Sequence, residues 1–257
     1  MKAFALSIIH ALADLVCPER CAACPTLVTG GAIFCHGCSA HVNVLGPPEC
    51  DACGVPAPAA TLCPGCTFAP DQSVRRARAW ASYRVGHVQE PVVRAVTSFK
   101  YERVTGLCRR MAQRMASRVP DSSVSLIVPV PLHERRLRER GFNQSALLAR
   151  HLGHALDVPV DFDLLLRTRD TPSQTRANLR QRHARVTGAF RVTNRPTVHE
   201  RSVLVVDDVW TSGATAHAAA RALRDAGART VDVITFARVQ SPGVPTHPDV
   251  ASPGNRE

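Results

Sequence analysis

Lysine is nearly missing from this 257-residue chain: Lys2 and Lys100 stand against 30 arginines, and Phe, Trp and Tyr together make up only 5%. So few aromatics, with 19 prolines and 15 glycines dispersed along the chain, exclude collagen-like and prion-like sequence. No apolar run reaches the length of a bilayer-spanning helix. The first residues also fail as a secretion signal, because His10 and Asp14 interrupt the apolar stretch and no small-residue cleavage site follows. Cysteine is almost lacking from the later chain, where only Cys108 follows Cys66.

What is present divides in two. Apolar residues make up 45%, enough for a core, over a length that suits one large domain or one domain with a small appendage. Residues 1–70 carry two basic and four acidic residues, a net of −2, so the rest holds +13 of the total +11. An arginine-rich region of that charge attracts phosphates or nucleic acid, with affinity that falls as salt rises. Phe4, Ile8, Leu12 and Leu15 fall at helical spacing, which predicts an amphipathic helix over residues 1–16. The tail over 241–257, rich in Pro, Gly and Ser, is expected to be disordered. The failed secretion signal and the lack of a bilayer-length apolar run predict a cytoplasmic location.

Nine of the ten cysteines precede residue 67, and eight form Cys-x2-Cys pairs: Cys21/Cys24, Cys35/Cys38, Cys50/Cys53 and Cys63/Cys66. Each such turn aims two sulfurs at one point, and two turns complete a tetrahedral thiolate cage for Zn2+. A disulfide framework would need an oxidising compartment, an iron–sulfur cluster uses other spacings, and a redox Cys-x2-Cys pair needs a βαβ setting. The expectation is a double zinc ribbon over residues 17–70 with two structural zinc ions. Sequential pairing is the simplest, while spacing alone leaves interleaved pairing open. Cys17 and His36 are spare candidates.

Over residues 71–240 strand-like and helix-like segments alternate, which predicts an α/β domain with a mainly parallel sheet flanked by helices. Strands are expected over residues 77–85, 125–130, 160–166, 203–206 and 230–237, and helices over 88–101, 105–118, 144–156 and 214–226. The stretch 167–185 is polar, arginine-rich and unpatterned.

The most informative segment is Val203-Leu-Val-Val-Asp-Asp-Val-Trp-Thr-Ser-Gly-Ala-Thr215. An apolar strand meets two carboxylates, then a hydroxyl-rich loop opening a helix. Free N–H groups and the helix dipole at Thr211, Ser212, Gly213, Ala214 and Thr215 favour an anion. Asp207 and Asp208 would repel that anion unless they serve another part of the ligand. Sugar hydroxyls or a divalent cation fit. The residues thus suggest a ribose 5-phosphate group. A capped strand-to-helix turn without a ligand is the plainer alternative, and the missing P-loop lysine argues against a nucleoside triphosphatase.

This segment resembles the signature with which type I phosphoribosyltransferases bind 5-phosphoribosyl 1-pyrophosphate (PRPP), with Trp210 and Ser212 departing from its commonest choices. Val128-Pro-Val-Pro-Leu-His133, Arg135 to Gln144, Thr171-Pro-Ser-Gln174 with Asn178-Leu-Arg180, Ser98-Phe-Lys-Tyr101 and the cysteine pairs together resemble the ComF family of competence-associated proteins. The resemblance implies a type I phosphoribosyltransferase-like fold and zinc in the cysteine pairs. It also implies Asp207 and Asp208 at the ribose, residues 211–215 at the 5-phosphate, and Mg2+ bound with PRPP. Lys100, Pro131, Arg135, Arg136, Arg140, Arg169 and Gln174 become candidates for the pyrophosphate and for a loop closing over it. Gly141-Phe-Asn-Gln144 reads equally as a turn and helix cap, with Asn143 at the N-cap.

Three functions follow. One is transfer of the phosphoribosyl group to an unknown acceptor. Another is a competence factor that works with the DNA-uptake machinery, holding PRPP without turnover or binding single-stranded DNA. A third is a PRPP-sensing regulator. A homo-oligomer is compatible with all three.

Overall fold

The computed structural model describes residues 19–58, 61–68, 72–84, 86–101, 106–120, 123–169 and 188–240. The expected N-terminal helix and C-terminal tail, with Cys17 and Gln174, lie outside the described residues.

Two short helices, α1 (His36–Ser39) and α2 (Pro64–Phe68), belong to the cysteine-rich region, and between them lies strand β1 (Asn43–Val44). The larger region contains β2 (Arg76–Tyr83), α3 (Pro91–Tyr101), α4 (Leu107–Ala116), β3 (Leu126–Pro129), α5 (Glu134–Arg140) and α6 (Gln144–Leu156). Strands β4 (Leu165–Arg167) and β5 (Phe190–Val192) follow, then α7 (Arg195–Val198), β6 (Ser202–Trp210), α8 (Ala214–Asp225) and β7 (Thr230–Val239). The main sheet has the order β1-β2-β7-β6-β3, parallel except where β1 meets β2.

Strand parity divides the apolar residues between two cores. Leu204, Val206, Ile234 and Phe236 face α3, α4 and α6, packing on Phe99, Met111, Leu148 and Leu152. Val203, Val205, Val231 and Val233 face α8, against Ala216, Ala219 and Leu223. A parallel strand covered on both faces needs an unbroken apolar run, and 203–206 supplies it. The small alanines of α8 let that helix lie close to the sheet. Each fully buried Phe or Leu contributes roughly 1.5–3 kcal/mol.

The cysteine-rich region is built into this architecture. Strand β1, between the two cysteine clusters, pairs Asn43 with Ser82 and Val44 with Ala81 at the sheet edge. Phe34 stacks on Trp80, which stacks on Phe236 with ring centroids 5.0 Å apart, so one aromatic column joins the first cluster to β2 and β7. Around the second cluster, buried Glu49 takes Arg78 at 2.9 Å and Arg118 at 2.5 Å. Gly54, at φ +67°, packs so tightly that a Cβ there would stand 2.5 Å from the Ala77 carbonyl.

Several elements depart from expectation. Residues 160–166 do not form one strand: Val160 makes a lone parallel bridge to Ile127, and pairing resumes only in β4. The cause is Asp161, whose Oδ1 accepts from the N–H groups of Asp163 and Leu164 and turns the chain. Strands β4 and β5 form a separate antiparallel pair that carries the arginine-rich stretch between them. Strand β6 continues beyond its apolar run to Trp210, because Asp207, Val209 and Trp210 still pair with β7. The run from Arg135 to Arg140 is helical, capped by His133, whose Nδ1 accepts from the Arg135 N–H, and closed by left-handed Gly141.

Candidate functional site

All the parallel strands end on the same edge of the sheet, where ligands of open α/β sheets collect. Asp207 and Asp208 stand at that edge on β6, and helices of the first core bring partners to them. Lys100, near the end of α3, places Nζ 3.0 Å from Asp208 Oδ2. Ser145, in the first turn of α6, donates its hydroxyl to Asp207 Oδ1 at 2.8 Å. The Asp208 N–H donates to the same oxygen at 2.9 Å. The adjacent carboxylates therefore take partners from different helices, Asp208 from α3 and Asp207 from α6.

Burial raises the Asp207 carboxyl to about 6, with the charge of Asp208 adding to the rise while Ser145 and Lys100 oppose it. Burial works against the Lys100 ammonium, yet the charge and hydrogen bond of Asp208, with the charges of Asp207 and Tyr83, together outweigh it and the net shift is upward. Tyr83, at the end of β2, is also pushed up by burial, against the pull of Lys100. Tyr83 and Ser145 belong to the constellation and were not singled out in sequence. A tyrosine ending a strand and a serine after an N-cap carry no local signal, so only the pattern of long-range packing could have found them.

The loop after β6 turns at Gly213, which has φ +75° and caps α8. Thr211 is exposed, Ser212 and Thr215 are half-buried, and Gly213 and Ala214 are buried. Gly213 packs against Trp210, where a Cβ would come within 2.4 Å of the indole. The glycine is therefore required by its backbone conformation and by the indole beneath it.

The motifs flanking this edge meet one another. Phe99 packs on Phe142 at 6.2 Å, and the Arg140 guanidinium stands 5.3 Å from the Tyr101 ring centre while donating to Gln144. Asn143 caps α6 by accepting from the Ser145 N–H, and its own amide donates to the Val130 carbonyl, fixing the loop that holds Pro131. Arg136 is half-buried on α5, and Arg135 is exposed with Nε 3.9 Å from Glu139. Arg169 is exposed just beyond β4. Among the predicted cationic candidates, the structure joins Lys100 to the acidic pair and Arg140 to Tyr101. Arg135 makes its ion pair within α5.

The cysteines gather into two groups, Cys21/Cys24/Cys35/Cys38 and Cys50/Cys53/Cys63/Cys66, each with all sulfurs within 4.8 Å of one another. The grouping is sequential. Cys24 and Cys35 Sγ are 3.6 Å apart and Cys53 and Cys63 Sγ are 3.7 Å apart, close to the ~3.8 Å edge that Zn–S bonds of about 2.3 Å give a tetrahedron. Backbone N–H groups of Cys35 and Cys63 donate to Cys21 and Cys50 Sγ, which favours thiolates. Both sites fit structural zinc; His36 stands outside them.

Comparison with known proteins agrees with both halves. A double zinc ribbon domain matches residues 12–67, and a phosphoribosyl transferase domain matches residues 139–251. Competence protein F of Haemophilus influenzae is 27% identical over 80% of this chain and 90% of that one. The DNA utilization protein YhgH of Salmonella typhimurium is 32% identical over 74% of this chain and 83% of its own length. Competence protein ComFC of Bacillus subtilis is 24% identical over 91% of this chain and 97% of that protein. With a double zinc ribbon preceding a type I phosphoribosyltransferase-like fold, this chain belongs to the ComF family.

Proposed function

We propose that this protein binds PRPP at the carboxyl edge of its parallel sheet and transfers the phosphoribosyl group to an acceptor. The observation that carries this reading is the joining of Asp207 and Asp208, at the end of β6, to a glycine-capped hydroxyl loop that opens α8. Residues 211–215 hold the 5-phosphate, and the two carboxylates accept from the ribose hydroxyls. Lys100 offsets the negative charge of Asp208 so that an anion is not repelled. Pro131, Arg135, Arg136, Arg140, Arg169 and Gln174 serve the pyrophosphate and its covering loop, because arginine forks match phosphate oxygens.

The hard oxygens of Asp207 and Asp208 would help to hold Mg2+ arriving with PRPP, and the ion would supply charge neutralisation of the diphosphate. In the reaction an acceptor nitrogen forms a bond to C1 of the ribose as the C1–O bond breaks. Pyrophosphate leaves with that electron pair, and the acceptor nitrogen gives up its proton. Catalysis then rests on positioning and on stabilising an oxocarbenium-like transition state.

The test is Asp207→Asn combined with Asp208→Asn. The double variant is expected to keep its fold and zinc content while losing PRPP binding; unchanged PRPP affinity would sink the assignment.

A second reading, binding of single-stranded DNA by a factor of the DNA-uptake machinery, draws on two exposed aromatics that each lie beside an arginine. The Arg150 guanidinium stands 5.8 Å from the Phe162 ring and the Arg140 guanidinium 5.3 Å from the Tyr101 ring. Such pairs suit base stacking within a basic surface. The competence and DNA-utilization names of the relatives point the same way. The two readings share Arg140, whereas the Arg150–Phe162 pair uses none of the residues assigned to PRPP.

A further inference from the structure

We infer that Arg238 is a positioning residue through which metal at the Cys50/Cys53/Cys63/Cys66 site sets the grip of the 211–215 loop on an anion. The inference rests on the reading of that loop as a phosphate cradle.

Three contacts form the chain. Arg238 lies next to the last residue of β7 and is 9% exposed, and its Nη1 donates to the Cys53 carbonyl inside the second cysteine site. The same guanidinium stands 5.7 Å from the centre of the Trp210 ring. Trp210 in turn lies against Gly213, with no room for even a methyl group between indole and loop backbone. His217, on the first turns of α8, meets the indole edge-on at 5.6 Å. Trp210 is therefore held by the arginine and α8 while it supports the glycine that shapes the loop.

Backbone geometry makes the arrangement depend on metal. A buried guanidinium needs acceptors for its N–H groups, and among the described residues no carboxylate lies within ion-pair distance of Arg238. The acceptor is the Cys53 carbonyl, and metal held by Cys50, Cys53, Cys63 and Cys66 would fix the turn that presents it. When the metal leaves, that turn loosens and the acceptor moves. The guanidinium then turns toward water, Trp210 loses its partner and the loop slackens. Among the described residues no equivalent contact chain runs from the first cysteine site, whose aromatic column leads to Trp80 and Phe236.

The experiment uses the full-length zinc-loaded protein carrying Trp80→Phe, which leaves Trp210 as the single tryptophan. Its emission, its zinc content and its affinity for PRPP with Mg2+ are measured in Arg238, Arg238→Lys and Arg238→Gln versions. Arg238→Gln is expected to retain both zinc ions, shift Trp210 emission to the red and weaken PRPP binding roughly tenfold. Arg238→Lys should recover part of both effects. Cys66→Ser should reproduce the emission shift in the Arg238 protein and add nothing in the Arg238→Gln protein, whereas Cys38→Ser should leave emission unchanged. Unaltered emission and affinity in Arg238→Gln would overturn the inference, as would a Cys66→Ser shift of equal size with and without Arg238. If the zinc-loaded protein with Arg238 binds no PRPP, the proposed function fails, while the emission measurements still decide the link between metal site and loop.

Discussion

Asp207 sits in surroundings that oppose its charge. Burial and the neighbouring Asp208 hold its carboxyl at about 6. A folded-state value above the ordinary one means that the native protein binds this proton more tightly than the unfolded chain does. The stabilisation from that proton is complete below the ordinary value of 3.8 and is lost as pH rises through about 6. Above that point the ionised carboxylate gains most from a donor such as a ribose hydroxyl. PRPP affinity should therefore rise with pH through about 6. Ser145→Ala should move that midpoint upward by removing a hydrogen bond to the ionised form, and Asp207→Asn should remove its part of the profile. Calorimetric affinities across pH check this, and identical profiles for the native protein and Asp207→Asn would refute it. The acidic pair was legible because an apolar strand running into two carboxylates and a hydroxyl loop is a local pattern. Lys100 on Asp208 and Ser145 on Asp207 are contacts made by the fold, and no spacing rule contains them.

At the scale of elements, α6 was expected over residues 144–156 and lies there, because Asn143 supplies a cap and the apolar residues recur at helical spacing. Strand β1 was not foreseen: two residues carry no periodicity, and their strand character comes from pairing with β2. The division of residues 160–166 was hidden for a related reason, since Asp161 redirects an otherwise strand-like run through its own side chain. The docking of the second cysteine cluster was equally illegible, because Glu49, Arg78 and Arg118 are far apart in sequence and meet only in the fold. Replacing Glu49 by Ala leaves two largely buried guanidinium groups without their anion. The expected loss is about 3–5 kcal/mol, measured by urea denaturation. A loss below about 0.5 kcal/mol would place these arginines among ordinary surface charges.

For the whole molecule, β1, the aromatic column and the arginine contacts make the zinc ribbons part of the sheet's own packing. The sequence divides into cysteine-rich and arginine-rich regions by composition, which suggests two independent parts; composition has no means of showing a shared sheet edge. Removing zinc with a chelator should therefore lower the Tm of the whole protein within a single cooperative transition. Two separate transitions, with the later one unmoved by the chelator, would mean that the parts fold apart.

The central claim is a PRPP site at the carboxyl edge of the sheet, and calorimetric titration of the zinc-loaded protein with PRPP tests it most directly. The account predicts saturable, magnesium-dependent binding of one PRPP per chain, with ribose 5-phosphate bound more weakly for want of its diphosphate. Folded, zinc-loaded protein that binds no PRPP in the presence of Mg2+ would contradict it.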